Sequence, residues 1–196
     1  TGIANYLGLT KLGQKVDVKE GTYTIESILA PGMAVAISNQ EHDNGALAIL
    51  ESVDSEKSAQ RFEIINRGNG YYNIIAEHSG KALEVKDGIS TAGVNVQQSK
   101  LDVTSEAQKW CFIDAGDGNL YIRSALGTYI DVKYGATTEG TEVWTYDFNG
   151  SSAQKWTLTE SNYHPIENGT YSVANGKNVN YVLEIASQGM SDGSNA

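Results

Sequence analysis

The sequence predicts an all-β fold built from three copies of one structural unit. Helical periodicity is nearly absent, and the segments between turns are short and alternate apolar with polar residues, which is typical of strands. Gly is abundant, with 21 residues, and Pro is scarce, with 2, which suits many tight turns. A motif of Ala-Gln followed by a basic residue and an aromatic residue occurs three times, and the copies lie a little under fifty residues apart. Repetition at this period indicates one supersecondary unit that has been copied and packed against itself.

Three markers recur in phase and define the repeats. Each repeat opens with a strand that contains tyrosine, continues with a strand that carries an apolar or acidic triplet, and closes with the Ala-Gln motif. The opening strands are predicted at 22–25, 71–74 and 120–122, the triplets at 34–37, 82–85 and 129–132, and the closing motifs at 59–64, 107–112 and 153–158.

The number of strands predicts a closed barrel. Turn residues at 68–70, 79–80, 116–118 and 149–150 separate strands every ten to twelve residues, so three repeats contain about twelve strands. Antiparallel strands with open edges recruit other chains, and closure into a barrel removes the edges. We therefore expect residues 21–160 to form a barrel with threefold pseudo-symmetry.

The two ends of the chain are predicted to lie outside this barrel. The opening marker returns at 170–173, followed by a triplet at 182–185, so residues 161–196 are expected to be a linker and the first half-repeat of a second, truncated domain. Its unpaired strand edges favour self-association. Residues 1–20 match no repeat and are predicted to be a linker or the tail of a preceding module. We expect a larger, multidomain protein.

Composition and charge exclude several classes of function. The net charge of −10 disfavours nucleic acid and anionic membranes as partners, and no apolar run is long enough for membrane insertion. The single cysteine, Cys111, lies in an apolar strand and allows neither an intramolecular disulfide nor a thiolate metal site. No hydrolase, zinc-protease or phosphate-loop motif occurs. The sequence therefore predicts no catalytic residues, no metal and no cofactor.

The three in-phase markers resemble those of the ricin-type β-trefoil lectin domain. In the bacterial form of this domain, Gly-Thr-Tyr-Thr-Ile opens the domain and Ala-Gln-Lys-Trp closes each repeat. The resemblance covers residues 21–160 and, in part, 167–196. It implies that the Gln-x-aromatic motifs hold the fold together, with the aromatic ring in the core and the Gln amide bonded to backbone groups at a turn. These residues are Gln60, Phe62, Gln108, Trp110, Gln154 and Trp156.

The resemblance also implies one potential sugar site in each repeat, with an acid from the triplet and an aromatic platform some fifteen residues later. Only the third repeat keeps both, as Asp131 and Tyr146, with Trp144 and Asn149 nearby. Each residue also has an alternative role that does not involve sugar. Asp131 could accept hydrogen bonds from N–H groups of a turn, Tyr146 could be an ordinary half-exposed strand residue, and Trp144 could belong to the core or the rim.

The first two repeats lack part of this chemistry. In the first repeat the acid position holds Ala36 and the aromatic position holds Glu51, which predicts no site. In the second repeat Glu84 and Gln97 can bond hydroxyl groups, but Ser99 stands where the platform should be. The second repeat is therefore expected to hold a weaker site.

The resemblance implies a non-catalytic, carbohydrate-binding module of a secreted or cell-surface bacterial protein. We expect it to bind a terminal, galactose-like sugar or glycan through the third repeat. The alternative is a structural or protein-interaction spacer that has lost sugar binding, because two of the three sites are incomplete.

Overall fold

The computed structural model describes residues 13–161 and, for the backbone alone, the strands at 174–175 and 178–182. The chain divides into two compact units, residues 1–163 and 164–196. Within the described part of the first unit, thirteen strands form one continuous sheet. The all-β class predicted from the sequence is therefore confirmed.

A short leading strand precedes three sets of four strands. The bounds are β1 Lys15–Val16; β2 Gly21–Ser27, β3 Met33–Ile37, β4 Ala48–Ser52 and β5 Phe62–Gly68; β6 Tyr71–Ala76, β7 Lys81–Val85, β8 Val94–Ser99 and β9 Trp110–Gly116; β10 Asn119–Ser124, β11 Tyr129–Val132, β12 Val143–Tyr146 and β13 Trp156–Glu160. Single turns of 3-10 helix lie at Ser38–Gln40, Ser58–Gln60, Lys86–Gly88, Glu106–Gln108, Lys133–Gly135 and Ser152–Gln154.

The first and last strands of each repeat close a six-stranded barrel. The pairings run β2–β5–β6–β9–β10–β13 and return from β13 to β2, all antiparallel. The closing pair is long, with register from Trp156 opposite Ser27 to Glu160 opposite Tyr23. This closure leaves no free edge among the six barrel strands, which is the arrangement that the repeat pattern predicts.

The two middle strands of each repeat form a hairpin, and the three hairpins contact one another. They are β3–β4, β7–β8 and β11–β12. Strand β12 pairs with β8, and single bridges join Leu47 to Gln97 and Ile49 to Glu142. The third hairpin is therefore held in place by both other repeats.

The core fills the barrel with one large aromatic ring from each closing motif. Phe62, Trp110 and Trp156 are fully buried, together with Tyr72, Phe112 and aliphatic residues from all three repeats. Cys111 is also buried, and burial raises the pKa of its thiol. A buried, protonated thiol is a packing residue, in line with its apolar strand.

The N-terminal boundary differs from the predicted one. Residues 1–20 were expected to be a linker or the tail of a preceding module, yet in the described part of this segment Lys15 and Val16 pair with Ile113 and Phe112 of β9. Val16 and Val18 pack on the core, and the backbone N–H of Val18 donates to the hydroxyl of Tyr72 at 3.1 Å. Strand β9 pairs with β6 only at Trp110, so its next residues, Phe112 and Ile113, remain available to this segment. A two-residue strand in a polar run carries no clear sequence signal.

In the second unit the described backbone forms one antiparallel pair, β14 Ala174–Asn175 and β15 Asn178–Val182. The opening marker at 170–173 and the acidic position Glu184 lie outside the described residues. The predictions of a truncated second domain and of self-association through it therefore remain predictions.

Candidate functional site

The third hairpin brings the predicted acid and aromatic residues onto one face. In the antiparallel register of β11 and β12, Asp131 lies opposite Trp144, and Tyr129 lies opposite Tyr146. Residues two apart along a strand share a face, and so do residues directly opposite each other. Asp131, Trp144 and Tyr146 therefore lie side by side on the same surface.

Asp131 is a nearly buried carboxylate, with 4% of its surface exposed. One of its oxygens, Oδ1, accepts a hydrogen bond of 2.9 Å from Nε1 of Trp144. Burial raises the pKa of Asp131, and hydrogen bonds from Trp144 and Gln154 lower it in part. A carboxylate has about four acceptor positions, so after these two bonds Asp131 can still accept hydrogen bonds from a ligand.

The platform residue Tyr146 is held in place by the ring of Trp144. The rings of Trp144 and Tyr146 are stacked, with centroids 5.2 Å apart and planes inclined at 24°. A Cβ on Gly93 of the neighbouring repeat would lie 3.8 Å from the Trp144 ring, so this ring packs close to the Gly93 backbone. Trp144 thus orients Asp131 and supports Tyr146, whose side chain is 39% exposed.

The loop after β12 is tied to the same face by Gln154. The Oε1 atom of Gln154 accepts bonds from the backbone N–H groups of Asn149 at 3.0 Å and Gly150 at 3.3 Å, and its Nε2 donates to the carbonyl of Asp147 at 2.8 Å. The exposed Asn149 uses its side-chain oxygen for the N–H of Ser151. Its NH₂ group then remains as the donor that it can offer to a ligand.

Tyr134 is a third aromatic residue at this site, and the sequence analysis did not identify it. It lies in the 3-10 turn after β11, and 82% of it is exposed. Its ring meets Trp144 edge to face, with centroids 4.9 Å apart. The available signal was an aromatic residue immediately before Gly135, at the position of Asp87 before Gly88 in the second repeat.

These residues line one open cavity of about 280 Å³. Its walls are Asp131, Tyr134, Gly135, Trp144, Tyr146, Asn149, Ser151 and Ala153. All four third-repeat residues predicted to bind sugar therefore line a single pocket. A carboxylate, an amide and exposed aromatic faces around a shallow cavity can bond hydroxyl groups and pack against the apolar face of a ring.

The second repeat uses its polar residues internally. Glu84 lies opposite Gln97, and its two carboxylate oxygens accept bonds from Nε2 of Gln97 at 3.0 Å and from Nε2 of Gln108 at 2.8 Å. Ser99 lies opposite Ala82, so the platform position holds no ring. The weaker site expected at Glu84 and Gln97 therefore has no aromatic partner in that position.

In the first repeat, the position equivalent to Asp131 holds Ala36 and therefore has no acid. Ala36 lies opposite Ile49. Glu51 occupies the platform position and accepts bonds from Nζ of Lys57 at 3.1 Å and from Nε2 of Gln60 at 3.4 Å. The hydroxyl-binding and ring-stacking chemistry of the third repeat is missing from this hairpin.

The three glutamines of the closing motifs make equivalent bonds. Each is buried and accepts a backbone N–H from the turn before it, from Asp54, Asp102 and Asn149 respectively. Each also donates to a backbone carbonyl, from Ser52, Lys100 and Asp147. The indoles of Trp110 and Trp156 donate to the carbonyls of Leu83 and Ile130 at 3.1 and 3.2 Å. These contacts tie the core rings to the hairpins.

The described residues contain neither a candidate metal site nor a helix that could span a membrane. No group of three or more His, Cys, Asp or Glu side chains is arranged to hold a metal ion there. Within the same residues, no helix has the length and apolar character needed to cross a membrane.

Comparison with solved structures identifies trefoil folds. A designed threefold symmetric protein, ThreeFoil, is 31% identical, with a TM-score of 0.68, and the match covers 71% of this chain and 99% of that one. The exo-β-1,3-galactanase 1,3Gal43A from Clostridium thermocellum is 27% identical, with a TM-score of 0.67, over 75% of this chain and 31% of the enzyme. The Polyporus squamosus lectin, solved with Neu5Acα2-6Galβ1-4GlcNAc, shares the fold at 20% identity and a TM-score of 0.63, over 74% of this chain and 50% of the lectin.

The family comparison agrees with the fold. No curated protein sequence matches the chain. The model of the ricin-type β-trefoil lectin domain-like family matches three overlapping segments, residues 12–99, 58–126 and 106–196. Together with the three repeats, the closed barrel and the Gln-aromatic contacts, this match shows that the chain belongs to the ricin-type β-trefoil lectin domain-like family.

Proposed function

We propose that this protein is a carbohydrate-binding module that holds a glycan in the third-repeat pocket, with Asp131 and Tyr146 as the principal contacts. The observation that carries the proposal is the register of β11 and β12, which aligns an acid and a braced, exposed ring on one face. Asp131 would accept bonds from two adjacent hydroxyls, and Tyr146 would pack on the apolar face of the sugar ring.

The sugar that we propose is galactose-like, and the context is a secreted or cell-surface bacterial protein with several domains. Support for the sugar comes from two similar proteins, an exo-β-1,3-galactanase and a lectin bound to a galactose-containing epitope. Both are longer than the matched region. In such a protein this module would bind glycan without performing catalysis.

A structural or protein-interaction spacer is the second candidate. The observation in its favour is that Glu84 and Glu51 are bonded to side chains of their own repeats, while Ala36 replaces the acid in the first repeat. The third-repeat pocket is the observation that favours sugar binding. A direct binding measurement separates the two functions.

Substitution of Asp131 or Tyr146 is expected to abolish measurable sugar binding. A single shallow site binds with about −4 kcal/mol, a millimolar affinity. A charge-assisted hydrogen bond contributes about 1.5–3 kcal/mol and an aromatic face about 0.5–1.5 kcal/mol beyond its area. NMR titration with galactose and β-1,3-linked galactobiose measures the effect in Asp131→Asn and Tyr146→Ala.

The matched control is Glu84→Gln, which changes the equivalent acid of the second repeat and should leave the affinity unchanged. If the Glu84 variant lost binding while the Tyr146 variant kept it, the site would lie in the second repeat. A wild-type protein that shows no NMR shifts with either sugar and binds no glycan on a full array would support the spacer function.

The raised pKa of Asp131 predicts a pH dependence of binding. A ligand that donates hydrogen bonds to the carboxylate prefers its charged form, so protonation weakens binding. Because burial raises the pKa of Asp131, affinity should begin to fall at a pH above the ordinary aspartate value of about 3.9. Isothermal titration calorimetry between pH 7 and pH 4 measures this fall.

The control for the pH effect is Asp131→Glu, which keeps a titratable acid but displaces it from Trp144. Its weaker binding should decline at a different pH from that of wild type. A wild-type affinity that stayed constant down to pH 4 would contradict a carboxylate contact with the ligand.

A further inference from the structure

In the described part of the chain, the exposed aromatic residues all lie in the third repeat, where two of them, Tyr134 and Tyr146, line the pocket. Among the described residues, three aromatic side chains are strongly exposed: Tyr134 at 82%, Phe148 at 56% and Tyr146 at 39%. All three belong to the third repeat. The other large exposed hydrophobic residues in the described chain are aliphatic and lie in the first two repeats. A local concentration of exposed rings is characteristic of a ligand-binding surface.

Tyr134 occupies a backbone position that is unfavourable for a bulky residue. Its φ is 57°, in the left-handed region. The equivalent turns of the first two repeats hold Asn39 and Asp87, with φ of 53° and 56°. Asn and Asp are the non-glycine residues that tolerate this region best, and tyrosine is not. Strain of this kind is concentrated at functional sites, where the side chain has a use that offsets the cost.

The ring of Tyr134 extends the platform beyond the first sugar position. Its centroid is 4.9 Å from that of Trp144, which is in turn 5.2 Å from that of Tyr146. Tyr134 and Tyr146 therefore both contact Trp144, and both line the same cavity. Because Tyr134 is 82% exposed, its ring offers contact area to a ligand in addition to that of Tyr146.

The charges at this end of the pocket favour a neutral ligand. Nζ of Lys133 lies 5.7 Å from the centroids of both Tyr134 and Trp144. The same ammonium group is bonded to the carboxylate of Glu142, so its charge is already paired. The Tyr134 end therefore offers an apolar ring face with a compensated charge beside it, which suits the C–H face of an uncharged sugar.

We propose that Tyr134 forms a second subsite, so that the ligand of this protein is a neutral glycan chain of at least two sugar units. The first unit is held by Asp131 and Tyr146, and the next unit packs against Tyr134. This inference rests on the proposed function and specifies its ligand class. It also assigns to Tyr134 the selection of chains over single sugars.

The test measures how binding affinity depends on the length of the glycan chain and on the side chain at position 134. A glycan array that carries monosaccharides with their β-1,3- and β-1,4-linked dimers and trimers is probed with wild type, Tyr134→Asn and Tyr134→Phe. Calorimetry then measures Kd for the best-bound chain and for its parent monosaccharide. Tyr134→Asn introduces the residue of the first-repeat turn, so the left-handed backbone is retained.

Wild type should bind the dimer more tightly than the monosaccharide by roughly 2- to 12-fold, the factor that corresponds to one aromatic contact. Tyr134→Asn should lose this preference while keeping the wild-type affinity for the monosaccharide. Tyr134→Phe, which keeps the ring, should retain the preference. Asp87→Asn, at the same turn of the second repeat, is the matched control and should behave as wild type.

The outcomes that would overturn the inference differ from those that would overturn the proposed function. Equal affinities of wild type for monosaccharide and dimer, or a chain preference that survives in Tyr134→Asn, would refute the second subsite alone. A parallel loss of monosaccharide binding in Tyr134→Asn would place Tyr134 in the first subsite instead. Absence of any bound glycan on the array would refute the carbohydrate function and the second subsite together.

Discussion

Replacement of Trp156 by alanine is expected to lower the free energy of unfolding by about 3–5 kcal/mol, as truncation of a buried aromatic residue does. Trp156 is fully buried in the barrel, where no other side chain can fill the space that its indole leaves. It also donates to the carbonyl of Ile130, the residue before Asp131. The variant should therefore lose both core packing and a hydrogen bond that positions β11.

Trp156→Phe separates the loss of packing from the loss of the hydrogen bond, and a variant at an exposed position serves as the control. Trp156→Phe keeps most of the ring volume, as Phe62 does in the first repeat, but leaves the Ile130 carbonyl without its indole donor. Its cost should be about 1–3 kcal/mol, the penalty for a buried group that loses its partner. Tyr134→Asn, at an exposed position, should not lower stability, because asparagine tolerates the left-handed backbone better than tyrosine. Urea denaturation followed by circular dichroism measures all three variants. An unchanged midpoint for Trp156→Ala would contradict its place in the core.

Replacement of Gln154 by alanine is expected to reduce both stability and sugar binding. Its side-chain amide bonds three backbone groups of the 147–150 loop and also donates to Asp131. Leaving such groups without partners costs about 1–3 kcal/mol. Because Asn149 and the Asp131 carboxylate lose their restraint together, the pocket should no longer hold a glycan measurably at millimolar concentrations.

The matched control is Gln60→Ala in the first repeat. Gln60 is equally buried and bonds the backbone at Asp54 and Ser52. This variant should lose a similar amount of stability but keep wild-type sugar affinity, because the first repeat contributes nothing to the pocket. Loss of binding in both variants would show that binding follows overall stability rather than the local geometry of the third repeat.

Several parts of the third-repeat site could be predicted from the sequence. Asp131, Trp144, Tyr146 and Asn149 were identified because the resemblance to the ricin-type β-trefoil lectin domain implies where the acid and the platform of each repeat lie, and the structure places all four around one cavity. The bonds within the second repeat could not be predicted, since residue spacing does not show that Gln97 and Gln108 both donate to Glu84. Hydrogen bonds between side chains depend on distances that the repeat pattern does not contain.

The sequence by itself determined the class of fold, the four strands of each repeat and the closed barrel, because alternation and repeat phase are local properties that recur in each copy of the unit. Only the tertiary structure decided two other features: the pairing of Lys15–Val16 with β9, and the position of Tyr134 beside Trp144. Each depends on contacts between residues far apart in the chain or on a left-handed backbone turn. Such contacts are selected by packing of the whole barrel rather than by the propensities of the segments involved.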